Sequence, residues 1–280
     1  MRRSDRLRLA RDAGTGIEAI SACFFGHAYD LHHHEEWLVG VTERGVQDFF
    51  CRGERRQSTR GRVILIEPGE MHDGQAVTGG GFAYSMLYLP QSWLDARLAG
   101  PAQAVGFRST LADDRRLGAA IAWACRLVDK TGPRLMIDAA LDAVVLHLRT
   151  HLGLPLQDDG AKDAGSWVAR RARDRLHDCL RQDVGLDALA EAAGASDRFQ
   201  LARAFRTAYG TSPHAYLVQL RLAEARRLLK ENVAPADAAF AAGFADQSHL
   251  GRWFRRAYGM TPAAYRRGRT NVPDVSPATG

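Results

Sequence analysis

Between residues 17 and 90, apolar side chains fall in short runs rich in β-branched and aromatic types. The runs are Glu36-Trp-Leu-Val-Gly-Val-Thr42, Val46-Gln-Asp-Phe-Phe-Cys51, Arg62-Val-Ile-Leu-Ile-Glu67 and Phe82-Ala-Tyr-Ser-Met-Leu-Tyr-Leu89. Turn formers separate them at 43–45, 52–54, 67–70 and 79–81. Many short strands with frequent turns predict a small barrel or jelly roll, ended by Pro90. The period then changes. Over 113–130, Leu117, Ile121, Ala124, Leu127 and Val128 share one face, and over 134–152 Leu135, Ile137, Leu141, Val144, Val145 and Leu148 recur at helical spacing. Both segments read as amphipathic helices. Residues 153–166 lose all periodicity, are rich in Gly and Asp, and read as a linker. Beyond them the chain reads as helix only, at 168–182, 186–193, 197–209, 214–231, 235–242, 246–258 and 263–267. The last residues, 269–280, carry Pro273 and Pro277 and read as a disordered tail.

Within the helical half, one text occurs twice. Residues 194–216 and 243–265 match at a constant offset of 49, with about half the positions identical. Each copy has a turn glycine (Gly194, Gly243), an aspartate placed to cap a helix (Asp197, Asp246), a stripe at every fourth residue and a Gly-x-[ST]-Pro stop. The stripes are Leu201, Phe205, Tyr209 and Leu250, Phe254, Tyr258. Two helix-turn-helix units are the expectation, because a stripe packed inward leaves the other face for base edges. That face carries Arg198, Gln200, Arg203 and Arg206 in the first copy, and Gln247, His249, Arg252 and Arg255 in the second. Long planar donors and amides are the groups that base-edge readout requires. The intervening helix of 18 residues spans roughly 27 Å at about 1.5 Å per residue. One duplex turn is about 34 Å, so two successive major grooves lie within reach on slightly bent DNA.

Charge supports this reading. Residues 167–270 carry 18 Lys and Arg against 10 Asp and Glu, and the remainder carries 20 against 22. The basic excess is confined to the repeats, where a phosphate-facing surface belongs. Nearly all of it is arginine, which suits bidentate contacts to phosphate and guanine, although GC-rich codon usage produces the same bias.

The run from Ala242 through Gly243-Phe-Ala-Asp-Gln-Ser-His-Leu-Gly-Arg-Trp-Phe-Arg-Arg to Arg266 is very similar to the C-terminal signature of AraC/XylS-type bacterial transcription regulators. The likeness spans roughly residues 167–267. It implies a module of seven helices with two helix-turn-helix units in adjacent major grooves. It places Arg203 and Arg252 at base-reaching positions, with Gln247, Ser248 and His249 around the second. Arg198, Phe199, Gln200, Arg206, Arg255 and Arg256 complete the expected DNA-binding set, Arg256 as a phosphate contact. Double-stranded operator DNA is the implied partner, with RNA polymerase as a further one.

The barrel holds the other candidate chemistry. His32 and His34 alternate along a predicted strand and so share a face, and Glu67-Pro-Gly-Glu-Met-His72 brings a third histidine after a turn. His33 faces the other way, and Glu36 follows closely. An HxH pair with a distant His resembles the metal motif of cupins. It equally resembles the sensing domain of AraC-type regulators, where such histidines recur without a metal being usual. The spacing of Glu36 departs from the cupin pattern. We therefore expect no cofactor and no metal. We read His32, His34, Trp37, His72, Tyr84 and Tyr88 as effector-binding residues, with His32, His34 and His72 as the only metal candidates. The expected fold is α+β: a cupin-like β-barrel with two helices at 1–152, and an all-α domain with two helix-turn-helix motifs at 167–268.

Composition narrows the alternatives. At 280 residues with 46% hydrophobic side chains, each of two domains can bury its own core. No apolar run reaches membrane-spanning length, and the basic N-terminus lacks the apolar stretch of a signal peptide. Cys23, Cys51, Cys125 and Cys179 lie far apart with no CxxC pair, as befits free thiols in a bacterial cytoplasm. The sequence points to a one-component transcription regulator: a small molecule enters the barrel and alters a DNA-binding module. It is not expected to be an enzyme. Two alternatives remain, a metal-dependent cupin enzyme fused to a DNA-binding module and an architectural protein whose barrel only dimerises. A homodimer is expected through the helices at 113–130 and 134–152, whose apolar faces look too broad for one barrel to cover.

Overall fold

The computed structural model describes residues 5–26, 28–77, 80–98, 106–153, 164–182 and 184–268. The central residues of the expected linker and the tail at 269–280 lie outside them. The chain forms two compact units, one built on Met1–Leu156 and the other on Gln157–Arg255 with Thr261–Arg266.

In the first unit the β-branched runs form antiparallel strands: β1 (Arg6–Arg11), β2 (Glu18–Phe24), β3 (Tyr29–His32), β4 (Trp37–Cys51), β5 (Glu54–Thr59), β6 (Val63–Ile66), β7 (His72–Ala76) and β8 (Phe82–Leu89). Short pieces follow at β9 (Gly106–Phe107), β10 (Leu111–Ala112) and β11 (Leu152–Gly153). One sheet runs β1-β2-β8-β4-β6-β10, while β5 and β7 pair with β4 and β3 pairs with β7. The expected turn at Glu43-Arg-Gly45 is not a turn. β4 runs unbroken for 15 residues, with a register shift between Thr42 and Arg44. Its first half pairs with β8 and β6, and its second half with β5 and β7. Gly45 makes the bulge possible: its φ is 72°, and a Cβ there would lie 2.1 Å from the Gly81 carbonyl oxygen. At the far end, Arg52 (φ 52°) and Gly53 (φ 76°) supply the two left-handed positions that a tight β4–β5 hairpin requires.

Alternation along the strands sorts the two faces of the larger sheet. Trp37, Val39 and Val41, Val63 and Leu65, and Leu87 and Leu89 pack into one core with helices α2 (Arg115–Asp129) and α3 (Arg134–Leu148). Ile20, Leu38, Ile64, Met86 and Tyr88, at the intervening positions, are buried on the inner side. Gly40 lies against the Met86 sulfur, which an added Cβ would meet at 2.5 Å, so the flexible Met86 side chain would have to move for any larger residue. The Asp114 carboxylate caps α2 by accepting from Arg116 and Leu117 N–H at 2.9 Å, and α3 starts after Pro133. Helix α1 (Gln91–Leu98) was not anticipated. It buries only Trp93 and Leu94, too few positions to display a period.

In the second unit α4 (Ala164–Asp178) begins within the stretch read as linker. It is followed by α5 (Leu186–Ala193), α6 (Arg198–Tyr209), α7 (Pro213–Lys230), α8 (Pro235–Ala241), α9 (Gln247–Tyr258) and α10 (Pro262–Arg267). Val168, Ala172 and Leu176 pack with Leu189, Ala193, Leu201, Phe205 and Leu217 in one core. Phe244, Leu250, Phe254 and Tyr265 are buried in the second repeat, with the Phe254 and Tyr265 rings 5.4 Å apart. Arg221 ties α7 to the segment that follows α4 by donating to the carbonyls of Leu180 (2.8 Å) and Gln182 (3.0 Å).

Candidate nucleic-acid interface and barrel histidine cluster

Each repeat turns on a left-handed glycine. Gly194 (φ 72°) ends α5, where Ala195 N–H reaches the Ala190 carbonyl at 2.9 Å. Gly243 (φ 83°) follows α8, where Phe244 N–H reaches Ala239 at 2.9 Å. Both close a helix and redirect the chain. Asp197 then accepts from Phe199 and Gln200 N–H, and Asp246 from His249 N–H at 2.6 Å, so the two second helices start at equivalent positions. The Gly-x-[ST]-Pro segments, expected only as stops, also start the next helix. The Ser212 hydroxyl accepts from Ala215 N–H and the Thr261 hydroxyl from Ala264 N–H, with Pro213 and Pro262 opening α7 and α10.

With Leu201, Phe205, Leu250 and Phe254 fully buried, the opposite faces of α6 and α9 meet solvent. Arg198, Phe199, Arg203 and Arg206 are exposed on α6, and Gln247, Ser248, Arg252, Arg255 and Arg256 on α9. Gln200 and His249 are half-buried and partly engaged. The Gln200 carbonyl oxygen accepts from Ser196 N–H at 2.6 Å, so its amide NH2 is the group left to offer a base. His249 Nε2 accepts from the Trp253 indole at 2.9 Å, which assigns its proton to Nδ1. The Arg198 guanidinium lies 5.1 Å from the Phe199 ring and 3.9 Å from Asp187, which holds it near the helix start. The face is therefore a row of arginines with amide and hydroxyl groups at its N-terminal end, as duplex readout requires.

In the barrel unit the Glu67–Glu70 turn builds the second candidate site. Arg52, projected by the β4–β5 hairpin, donates to both Glu67 and Glu70 and to the Phe107 carbonyl at 2.8 Å. Glu67 also accepts Phe107 N–H, and burial raises its carboxyl above the usual range despite Arg52. Glu70 accepts Glu67 N–H at 3.0 Å and the Cys51 thiol at 3.6 Å. Burial and the Glu70 charge push that thiol up to about 12. Within this frame Gly69 N–H donates to the His34 carbonyl at 2.7 Å. His72 stands opposite both His32 and Cys51 in the strand register.

The three histidines thus converge, but not along one strand. β3 ends at His32, and the bond from Gly69 fixes His34 beyond it. Ring centroids lie 4.5 Å apart for His32 and His72, 4.9 Å for His32 and His34, and 5.2 Å for His34 and His72. All three are buried. His32 Nδ1 is 2.6 Å from the Asp30 carbonyl and His72 Nδ1 2.8 Å from the Glu70 carbonyl. A carbonyl only accepts, so both Nδ1 atoms carry the proton. Burial lowers His72 to about 4, so it is neutral near pH 7. Tyr88 meets His34 edge-on at 4.9 Å. Tyr84 shares a 3.0 Å hydrogen bond with Tyr29, and burial pushes the Tyr84 phenol up to about 12. Trp37 is not brought to this group. Its parity on β4 turns it outward to the helices, where its indole donates to Gln91 at 2.8 Å and stacks edge-on with Phe107. Sequence reasoning missed Tyr29, Arg52 and the Glu67–Glu70 pair. Only the Pro-Gly turn hinted at them.

Comparison with known proteins agrees with this division of labour. Residues 14–145 match the AraC-like ligand binding domain and residues 189–268 a helix-turn-helix domain. The chain is 24% identical over 236 residues to the uncharacterized HTH-type transcriptional regulator YbfI of Bacillus subtilis (strain 168), covering 82% of this chain and 84% of that one. It shares its fold with ToxT of Vibrio cholerae strain SCE256. An apo variant gives a TM-score of 0.55 at 9% identity, covering 93% of this chain and 100% of that one. Wild-type ToxT bound to an unsaturated fatty acid gives 0.52 at 10% identity, covering 96% and 98%. A sheet-rich ligand-binding domain joined to two helix-turn-helix units defines an effector-controlled, DNA-binding transcription regulator. The chain belongs to the AraC family of such regulators.

Proposed function

We propose that α6 and α9 read the operator in successive major grooves. In this reading Arg203 and Arg252 contact bases, and Arg198, Phe199, Gln200, Arg206, Gln247, Ser248, His249, Arg255 and Arg256 complete the surface. The paired exposed arginine faces, each closed by the same glycine turn and aspartate cap, carry the reading. The effector sits on the inner side of the barrel against His32, His34, His72, Tyr84 and Tyr88. Trp37 drops out because it packs beneath the helices. The barrel senses and does not catalyse, the protein works in the bacterial cytoplasm, and RNA polymerase is its partner when it activates.

Assembly is a homodimer, but not through the face expected from sequence. Leu141, Val144, Val145 and Leu148 are buried in the core between the helices and the sheet and available to no partner. The second copy instead covers the apolar residues that α3 leaves in solvent: Leu135 (80% exposed), Met136 (44%) and Leu146 (63%).

The test is genome-wide footprinting of the full chain, followed by reporter assays on the recovered promoters with candidate metabolites. A specific operator is expected, together with an effector response that His72→Ala abolishes. Equal affinity for recovered and scrambled DNA at physiological salt would refute sequence reading. An effector response unchanged in His34→Ala and His72→Ala would move the ligand away from this cluster.

A further inference from the structure

We propose that the Nε2 atoms of His32, His34 and His72 bind one late first-row divalent cation, of which zinc is the reference, inside the barrel. The ligand-capable atoms of these residues already lie within 4.8 Å of one another, and all three side chains are buried. Nitrogens at 2.0–2.1 Å from a tetrahedral zinc stand about 3.3 Å apart, so modest ring rotations complete the set.

Orientation supports the assignment more than proximity does. The carbonyls of Asp30 and Glu70 hold the Nδ1 protons of His32 and His72. Each Nε2 is thereby left as the lone-pair atom of its ring. Metal-bound histidines characteristically give their other ring N–H to a backbone carbonyl or carboxylate, which fixes the tautomer and aims the ring. The frame is built independently of any ligand. Arg52 fastens Glu67 and Glu70, the turn places His72, and Gly69 fastens His34. Strand register then sets His32 opposite His72. Three imidazoles are a donor set for zinc, copper, nickel or ferrous iron rather than for magnesium or calcium, which take oxygen. Three ligands also leave a coordination position open.

The site lies among residues assigned above to the effector, so the inference rests on that reading for its place in the barrel but not for its chemistry. The test is titration of chelator-treated, full-length protein with Co2+, read by the visible d–d absorption of the bound ion, then displacement with Zn2+ and metal analysis after gel filtration. One ion per chain is expected, with a rise in apparent melting temperature that grows with Zn2+ concentration. His32→Ala, His34→Ala and His72→Ala should each weaken binding by more than about 100-fold, beyond the 10–100-fold that follows loss of an outer-shell partner. His214→Ala, an exposed position on α7, should leave the stoichiometry at one. If a histidine variant fails to fold, the wild-type stoichiometry and Co2+ spectrum still decide. Absence of d–d bands, or a stoichiometry that falls only with His214→Ala, overturns the proposal. An organic effector that still raises the melting temperature of metal-free wild type would then leave the effector reading standing.

Discussion

Arg252 and Arg256 are four residues apart on one helix, and both are exposed. Their assigned roles separate experimentally. Arg252→Ala should cost about 1–3 kcal/mol on the operator and relax the preference at one base pair. Arg256→Ala should weaken every sequence alike and reduce the salt slope of binding by about 1. Competition assays at several salt concentrations distinguish the two, and identical effects would refute the assignment. Asp114 offers a second test at single-residue resolution. Burial would raise its carboxyl, but hydrogen bonds from His151 and from Leu117 and Arg116 N–H outweigh this and hold it below its ordinary value. A carboxylate depressed in the folded state stabilises above its unfolded pKa of about 3.9, and the contribution is lost as pH falls through the folded value. Asp114→Ala should therefore cost about 1 kcal/mol at pH 7, as loss of an N-cap does, and in urea melts the gap to wild type should begin to narrow only as pH falls below the unfolded value of about 3.9. The residues legible in advance were those whose role follows from local spacing, such as Asp197 and Asp246. Trp37 was misplaced because its neighbours give parity but not which parity faces inward.

Helices fared better than strands for a physical reason. The 3.6-residue period of α2 and α3 is written in the sequence over 15 residues each, long enough to be unambiguous. β4 was read as two strands because Glu-Arg-Gly is turn chemistry, and only a cross-strand partner distinguishes a bulge from a turn. The left-handed turn glycines Gly194 and Gly243 were visible through the duplication itself. Gly243→Ala tests what they contribute. Its Cβ would sit 2.9 Å from the Leu180 carbonyl oxygen and 3.0 Å from the Arg181 Cα, at a φ of 83° that side chains avoid. A loss of about 1–3 kcal/mol is expected from the strained backbone alone. DNA affinity should fall with it, since the turn aims α9. Unaltered stability in thermal melts would show that this turn relaxes freely.

In the proposed dimer, two copies of the chain would bring four helix-turn-helix units to one operator, and the proposed interface fixes how to disturb that. Leu141→Glu would bury a charge beside α2 and unfold the barrel, so it reports nothing about association. Leu146→Glu places the charge on the exposed side of α3 instead. Sedimentation at micromolar concentration should show dimer for wild type and monomer for Leu146→Glu, with an unchanged melting profile for the barrel; a wild-type monomer with and without DNA refutes the interface. The uneven charge of the chain was legible from composition alone. The convergence of His32, His34 and His72 was legible only as a pattern, because it depends on long-range register between β3 and β7 and on the Arg52 clasp.

The 15-residue strand β4 also acts as a tie rod. Its Cys51 end lies opposite His72, and its Trp37 end is packed beneath α2 and α3. A hydrogen-bonded strand resists stretching, so a ligand that draws β7 inward must load the whole rod rather than one end of it. Hydrogen exchange in the presence of the effector should therefore slow at Trp37–Val41 as well as at Val46–Cys51. Protection confined to the second segment would mean that the bulge at Thr42–Arg44 is a joint that uncouples the two halves.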